Sequence, residues 1–192
     1  KMLRFTAFIS FPAMFGLSLT APELITLAIT DKWLPSAQMM QILCIGGAFL
    51  PISNLFSQLL LSRGHSSTYM WCTIALSLLQ LVTAYFAYPY GIQTMLYAFI
   101  IVNIGWIMVW LHFVYREIGL TYLSCLKDIC PYLLLSGVLV ISAHYVTLGI
   151  EPIGIRLSSK IIGVGGLYIL ILWLMKSVIL QESIAFFLNK KR

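Results

Sequence analysis

Six apolar segments, each about as long as a membrane-spanning helix, follow one another along this chain of 192 residues. A helix that crosses the hydrocarbon core of a bilayer needs roughly 20 mostly apolar residues, at about 1.5 Å per residue. The segments lie at residues 5–29, 37–61, 69–88, 94–115, 130–148 and 159–179. We therefore predict an all-α membrane protein in which residues 1–180 form one lobe of six transmembrane helices.

The composition excludes a soluble domain. Apolar residues make up 60% of the chain and charged residues 9%, whereas soluble domains have roughly 45–50% and about 25%. So few charges cannot solvate the surface of a soluble protein. The net charge of +6 comes from basic residues scattered singly between apolar segments. Nucleic-acid binding needs a basic stripe or patch instead, so we expect no nucleic-acid partner.

The positions of the basic residues predict the orientation in the membrane. Short connections make sequential helices antiparallel, and Lys and Arg concentrate on the cytoplasmic side of short loops. One side carries Lys32, Arg156 and Lys160, and the other carries the remaining nine of the twelve: Lys1, Arg4, Arg63, Arg116, Lys127, Lys176, Lys190, Lys191 and Arg192. Both ends are therefore predicted on the cytoplasmic side of the membrane. Residues 181–192 are predicted to form a basic cytoplasmic tail near membrane lipids.

Motifs of catalysis and metal binding are missing from the sequence. The three histidines, His65, His112 and His144, lack zinc-site spacing, and the four cysteines form no CxxC pair. No nucleophile motif, phosphate-binding loop or pair of carboxylates within one segment is present. We expect no metal, no cofactor and no enzymatic activity.

Glu23 is the one carboxylate clearly inside an apolar segment. A carboxylate in a membrane is costly, so it usually faces the interior of a helix bundle or a wet cavity. One interpretation is a site for a proton, a cation or a polar substrate. The other is a carboxylate that reaches the interface or holds a neighbouring helix through hydrogen bonds.

Three amide side chains and one arginine are further candidates for a substrate or ion pathway. Asn54 and Gln58 lie in the second segment, where burial in lipid would leave two amides unsatisfied. They predict a face that packs against other helices or lines a polar cavity. Asn103 in the fourth segment suggests the same. Arg63 either anchors the cytoplasmic end of its helix or attracts an anionic head group there.

Three prolines are candidate kinks. Pro12 and Pro22 share the first segment and Pro51 interrupts the second. Each removes a backbone hydrogen bond and can bend its helix, which is a common hinge in transporters.

Several motifs occur in order along residues 11–71. They are FPAMFGL at 11–17, APELI at 21–25, TDKWLPS at 30–36, LCIGGAF at 43–49 and SRGHS at 62–66. Together they resemble bacterial polysaccharide flippases of the lipopolysaccharide/teichuronic-acid exporter branch, within the multidrug/oligosaccharidyl-lipid/polysaccharide exporter superfamily. Where that family commonly has a second basic residue after the glycine of the last motif, this chain has His65.

The resemblance implies a two-lobe, MATE-like transporter that works by alternating access. Its substrate would be an oligosaccharide linked to undecaprenyl pyrophosphate, moved across the inner membrane without covalent chemistry. Residue 1 is Lys, and the first segment follows almost at once. We therefore expect this chain to be the C-terminal lobe, with a missing N-terminal lobe as its partner in the same protein.

Three alternatives stay open from the sequence. A cation-coupled drug antiporter of the same superfamily would use Glu23 as its coupling carboxylate. A membrane-integral enzyme of envelope synthesis would need reactive residues in an outer loop, and the outer connections here are short and nearly bare. A non-transporting scaffold is the third.

Overall fold

The computed structural model describes residues 2–147 and 153–174, and the secondary structure of these residues is helical, without strands. Short 3₁₀ turns precede the second α-helix (Asp31–Trp33) and follow the fourth (Tyr88–Tyr90). The α-helices of this part of the chain are α1 Met2–Ala28, α2 Leu34–Gly47, α3 Leu50–Ser62, α4 Ser66–Ala87, α5 Ile92–Ile118, α6 Tyr122–Thr147 and α7 Ile153–Leu174.

Five helical stretches among the described residues are long and apolar enough to cross a membrane. They are α1, α2 with α3, α4 with its 3₁₀ turn, α5 and α6. The prediction of an all-helical, multi-pass membrane protein is confirmed. The sixth span, at 159–179, stays a prediction, because α7 covers it only to residue 174 and the rest lies outside the described residues. The tail at 181–192 also lies outside them.

Helix ends differ from the predicted segments most in α6 and α7. The fifth segment was predicted from residue 130, but α6 begins at Tyr122. The sixth was predicted from residue 159, but α7 begins at Ile153, so Arg156 and Lys160 lie inside a helix. Hydropathy marks the apolar length of a helix, and a helix can continue beyond that length where its polar side chains reach water or partners.

The second predicted segment is divided into α2 and α3 by a turn at Ala48 and Phe49. Pro51 lies in the first turn of α3, where a missing N–H is tolerated. The two glycines just before the turn permit close packing. A Cβ atom on Gly46 would lie 2.6 Å from Cγ1 of Ile100. The small residues of this segment therefore let α5 approach the backbone of α2 closely.

Helix α1 lies at the centre of the packing, against α2, α6 and α7, and it also touches α3. Phe11 is fully buried there and meets the ring of Phe49 edge to face, with centroids 5.2 Å apart. Helices α4 and α5 pair with each other, and α5 also packs on α2 and α3. Helix α1 therefore joins α2, α3, α6 and α7 into one packed group.

A salt bridge and a histidine–carboxylate contact link the helices at one end of the bundle, which we call the Arg4 end. Arg4 of α1 lies 2.7 Å from Asp128 of α6. His65, just before α4, lies 3.0 Å from Glu117 near the end of α5. These contacts agree with the up-and-down order that short connections impose. We call the opposite end, where α1 ends, the Lys32 end.

Candidate functional site

The most deeply buried charged group in the described residues is Glu23 of α1, with a side chain only 2% exposed. Its Oε1 atom accepts a hydrogen bond from Nζ of Lys160 at 2.6 Å. Nε of Arg156 lies 2.8 Å from the same oxygen. We call these three residues, which lie toward the Lys32 end, the Glu23 cluster.

The local structure explains why both cations reach one carboxylate. Arg156 and Lys160 are four residues apart in α7, so they occupy the same helix face. That face packs against α1, whose second half carries Glu23. Lys160 also donates to the backbone carbonyl of Leu19, at 3.2 Å. The ammonium of Lys160 is thereby fixed by two acceptors on α1.

The electrostatic balance of the Glu23 cluster is positive, with two cations for one carboxylate. Lys160 is almost fully buried with Glu23, whereas the side chain of Arg156 is 32% exposed. Arg156 is close to Glu23, but its Nε–H is not aligned for a hydrogen bond, and Oε2 of Glu23 accepts none from the residues that the structure describes. The arginine can therefore exchange partners more easily than the lysine can.

A small polar cavity of about 190 Å³ adjoins the Glu23 cluster. It lies between α1, α2, α6 and α7, and its walls are formed by Leu19, Pro22, Glu23, Gln41, His144, Thr147, Arg156 and Lys160. The Thr147 hydroxyl donates to the carbonyl of Ala143 at 2.7 Å. Carboxylate, guanidinium, imidazole and amide groups thus line one pocket between these four helices.

The other residues predicted for a pathway do not join Glu23. Asn54 and Gln58 are exposed on one face of α3, one turn apart. The side chain of Asn103 in α5 takes part in a hydrogen bond between helices, because its Oδ1 accepts from Nε2 of Gln80 in α4 at 3.2 Å. Arg63 is exposed just after α3, at the Arg4 end. A pathway role for these residues stays a prediction.

The prolines occupy different structural positions. Pro12 and Pro22 lie inside α1, which continues through both of them. Pro51 follows the turn that separates α2 from α3. Their role as hinges stays a prediction.

Sequence reasoning missed the partners of Glu23. From the sequence, Arg156 and Lys160 are interpreted only as markers of topology, and His144 only as a histidine without zinc-site spacing. The spacing of four between Arg156 and Lys160 was the sequence signal for a shared helix face. It indicates such a face only if the helix begins before residue 156. No group of three His, Cys, Asp or Glu residues in the described ranges is placed to hold a metal ion.

Comparisons with known proteins agree with the membrane architecture and show a similarity to proteins of polysaccharide biosynthesis. A model of a family described as "Polysaccharide biosynthesis protein" matches residues 1–38. An "Uncharacterized membrane protein in cps region" of Klebsiella pneumoniae is 35% identical over 63 residues. That match covers 33% of this chain and 13% of the relative, so it spans about an eighth of the relative's length. No solved structure matches.

The match over residues 1–38 thus supports a likeness to the polysaccharide biosynthesis family in the N-terminal part of the chain, and the relative supports a likeness to membrane proteins. The exporter superfamily and the position within it stay predictions. The 38 residues that the family model matches include α1 and the start of α2. They therefore contain Glu23, the carboxylate of the cluster.

Proposed function

We propose that this chain takes part in the export of polysaccharide repeat units, by flipping undecaprenyl-linked oligosaccharide across the bacterial inner membrane. The observation that carries the proposal is the match of residues 1–38 to the polysaccharide biosynthesis family. This segment contains α1, the central helix that carries Glu23. Alternating access between this lobe and an N-terminal lobe would move the substrate, with α7 as the sixth span and both chain ends in the cytoplasm.

The chemistry of the substrate explains what such a protein must provide. The sugars and pyrophosphate of a lipid-linked repeat unit would lose their hydration in hydrocarbon at great cost, while the isoprenoid tail stays in the lipid. A flippase therefore needs a polar pathway that is open to the bilayer at its side. Arg is the natural partner of phosphate because its planar guanidinium donates two parallel hydrogen bonds.

Two features of the structure fit this requirement. The Glu23 cluster has one more positive than negative charge, and its partly exposed Arg156 lies beside a polar cavity. Asn54 and Gln58 form an exposed amide face on α3, whose other polar residues are serines. Amides facing hydrocarbon would be unsatisfied, so we assign this face to the pathway that the two lobes share.

The Glu23 cluster argues against a drug antiporter as the alternative. A coupling carboxylate in such a transporter must be available to a proton or a cationic substrate. The Oε1 atom of Glu23 already lies within 2.8 Å of two cations. A further cation would be repelled by both of them.

Transport by the full-length protein in liposomes tests the proposal. Vesicles would contain a lipid-linked oligosaccharide with a fluorescent sugar, and flipping would be measured as the fraction protected from a membrane-impermeant quencher. We expect protein-dependent exchange between leaflets, and no export of a cationic dye by the same vesicles.

The other outcomes identify the rival functions. Dye export without sugar movement would show an antiporter. Covalent elongation or transfer of the labelled sugar would show an enzyme. Absence of all three activities in a correctly folded sample would favour a scaffold and refute the flippase.

A further inference from the structure

Two prolines inside α1 leave two backbone carbonyls without their usual helical donors. In an α-helix the N–H of each residue donates to the carbonyl four residues earlier, and proline has no N–H. Pro12 therefore frees the carbonyl of Phe8, and Pro22 frees that of Ser18. The bilayer core offers no water to such a carbonyl, so another donor has to satisfy it.

Each freed carbonyl accepts a hydrogen bond from a side chain of a different neighbouring helix. The hydroxyl of Tyr168, in α7, donates to the carbonyl of Phe8 at 2.9 Å. Nε2 of Gln41, in α2, donates to the carbonyl of Ser18 at 3.2 Å. The Ser18 hydroxyl lies 3.4 Å from the carbonyl of Gln41, which makes this second contact reciprocal.

We propose that Tyr168 and Gln41 are clasps that close two joints in α1, each replacing a backbone N–H that a proline removes. Opening the joint at Pro12 breaks one side-chain hydrogen bond and opening the joint at Pro22 breaks two, while the remaining backbone bonds of α1 stay intact. Helix α1 therefore bends at Pro12 when α7 withdraws Tyr168, and at Pro22 when α2 withdraws Gln41. The bend of α1 at each proline therefore depends on the position of α7 or of α2.

Helix α7 is fixed to α1 at two levels, of which the Tyr168 clasp is one. Tyr168 binds the carbonyl of Phe8, and Lys160, eight residues earlier in α7, binds Glu23 and the carbonyl of Leu19. Eight residues of helix span about 12 Å. A movement of α7 along α1 must therefore release both levels, whereas a bend of α1 at Pro12 needs only the first.

A four-variant cycle on the full-length protein tests the clasp at Pro12. The equilibrium constant for unfolding is measured in mixed micelles with increasing SDS for the wild type, Tyr168→Phe, Pro12→Ala and the double variant. With Pro12 present, loss of the hydroxyl should raise this constant by about threefold to twentyfold, as for other interhelical hydrogen bonds in membranes. In the Pro12→Ala background the new N–H donates to Phe8, so the same loss should have little effect.

Tyr145→Phe is the matched control, because this tyrosine of α6 is 70% exposed. It should leave the constant unchanged in both backgrounds. An equal effect of Tyr168→Phe in the two backgrounds would overturn the proposal, because the hydroxyl would then act independently of the proline. If Pro12→Ala does not assemble, the cycle of Gln41→Leu with Pro22→Ala decides in the same way at the second joint.

Bending is tested by distance measurements across both joints. Spin-labelled non-canonical residues at the exposed positions Phe5 and Leu27 lie on either side of the two prolines, about 33 Å apart along the helix. The distance distribution from electron paramagnetic resonance should broaden in Tyr168→Phe and in Gln41→Leu. An unchanged distribution in both would show that α1 has no joints.

The clasps do not depend on the proposed function; only their use during transport does. If the wild-type protein moves no lipid-linked sugar, the flippase proposal fails, while the unfolding cycle still decides whether the clasps exist.

Discussion

Replacing Glu23 with Gln removes the negative charge of a buried cluster and leaves its two cations in place. The side chain of Lys160 is 5% exposed, so its ammonium would remain desolvated without a counter-charge. Removing one partner of a buried ion pair costs about 3–5 kcal/mol. The partly hydrated Arg156 adds little to this. We expect the free energy of unfolding to fall by about 3 kcal/mol, a change of more than about a hundredfold in the equilibrium constant.

A second substitution separates the ion pair from its surroundings. Lys160→Met removes the ammonium and keeps most of the side-chain stem, and Glu23 retains Arg156 at 2.8 Å. We expect this variant to lose about 2 kcal/mol. The double variant Glu23→Gln/Lys160→Met buries no ion of this pair, so its loss should also be about 2 kcal/mol rather than the sum of about 5.

The assay is SDS-induced unfolding of the purified full-length protein, followed by circular dichroism. Glu117→Gln is the matched control, because the side chain of Glu117 is 30% exposed and pairs with His65 at the Arg4 end. It should cost less than about 1 kcal/mol. If the losses of the two single variants add in the double variant, Glu23 and Lys160 do not stabilise each other, and the reasoning is refuted.

Three further changes have clear expected results. Gly46→Ala should lower the thermal stability of the purified protein, because its Cβ would overlap a side chain of α5, whereas Gly105→Ala should not, since nothing lies within 4 Å of its Cβ position. Asn54→Leu with Gln58→Leu should abolish flipping in the liposome assay while thermal stability stays within the error of the wild type, because both amides are exposed. Arg156→Gln should slow flipping at least several-fold with a smaller loss of stability than Lys160→Met, because Arg156 is the more exposed cation; equal stability losses would contradict this.

Sequence patterns predicted the helices well where one physical requirement dominates. The need for about 20 apolar residues per crossing located every long helix from α1 to α6. This requirement could not locate the first residues of α6 and α7, because polar residues lie in the first turns of both helices and the membrane requirement does not describe them. The turn at Ala48 was predicted only as a kink at Pro51, since its geometry depends on packing against α1 and α5.

The candidate site was predicted only in part, for a different reason. Glu23 stands out in any hydropathy analysis, but its partner Lys160 is 137 residues away in sequence. The sequence around Glu23 does not indicate Lys160, and the sequence around Lys160 does not indicate Glu23. The contact exists only because α7 packs on α1. The polar face at Asn54 and Gln58 was visible in the sequence, but the structure leaves it exposed and separate from Glu23.

These contacts share a physical logic that can be checked across related proteins. Glu23 and the two prolines would each be costly in α1 alone, because a membrane interior penalises an unpaired carboxylate and an unsatisfied carbonyl. Each cost is offset by a residue of another helix: Lys160 for Glu23, Tyr168 for Pro12, and Gln41 for the other proline. Selection should therefore act on the pairs, so relatives that lack Pro12 should tolerate Phe at the position of Tyr168. Relatives with an apolar residue in place of Glu23 should lack the lysine as well. Frequent loss of one member alone, in relatives that still fold, would show that the offsetting donor lies elsewhere.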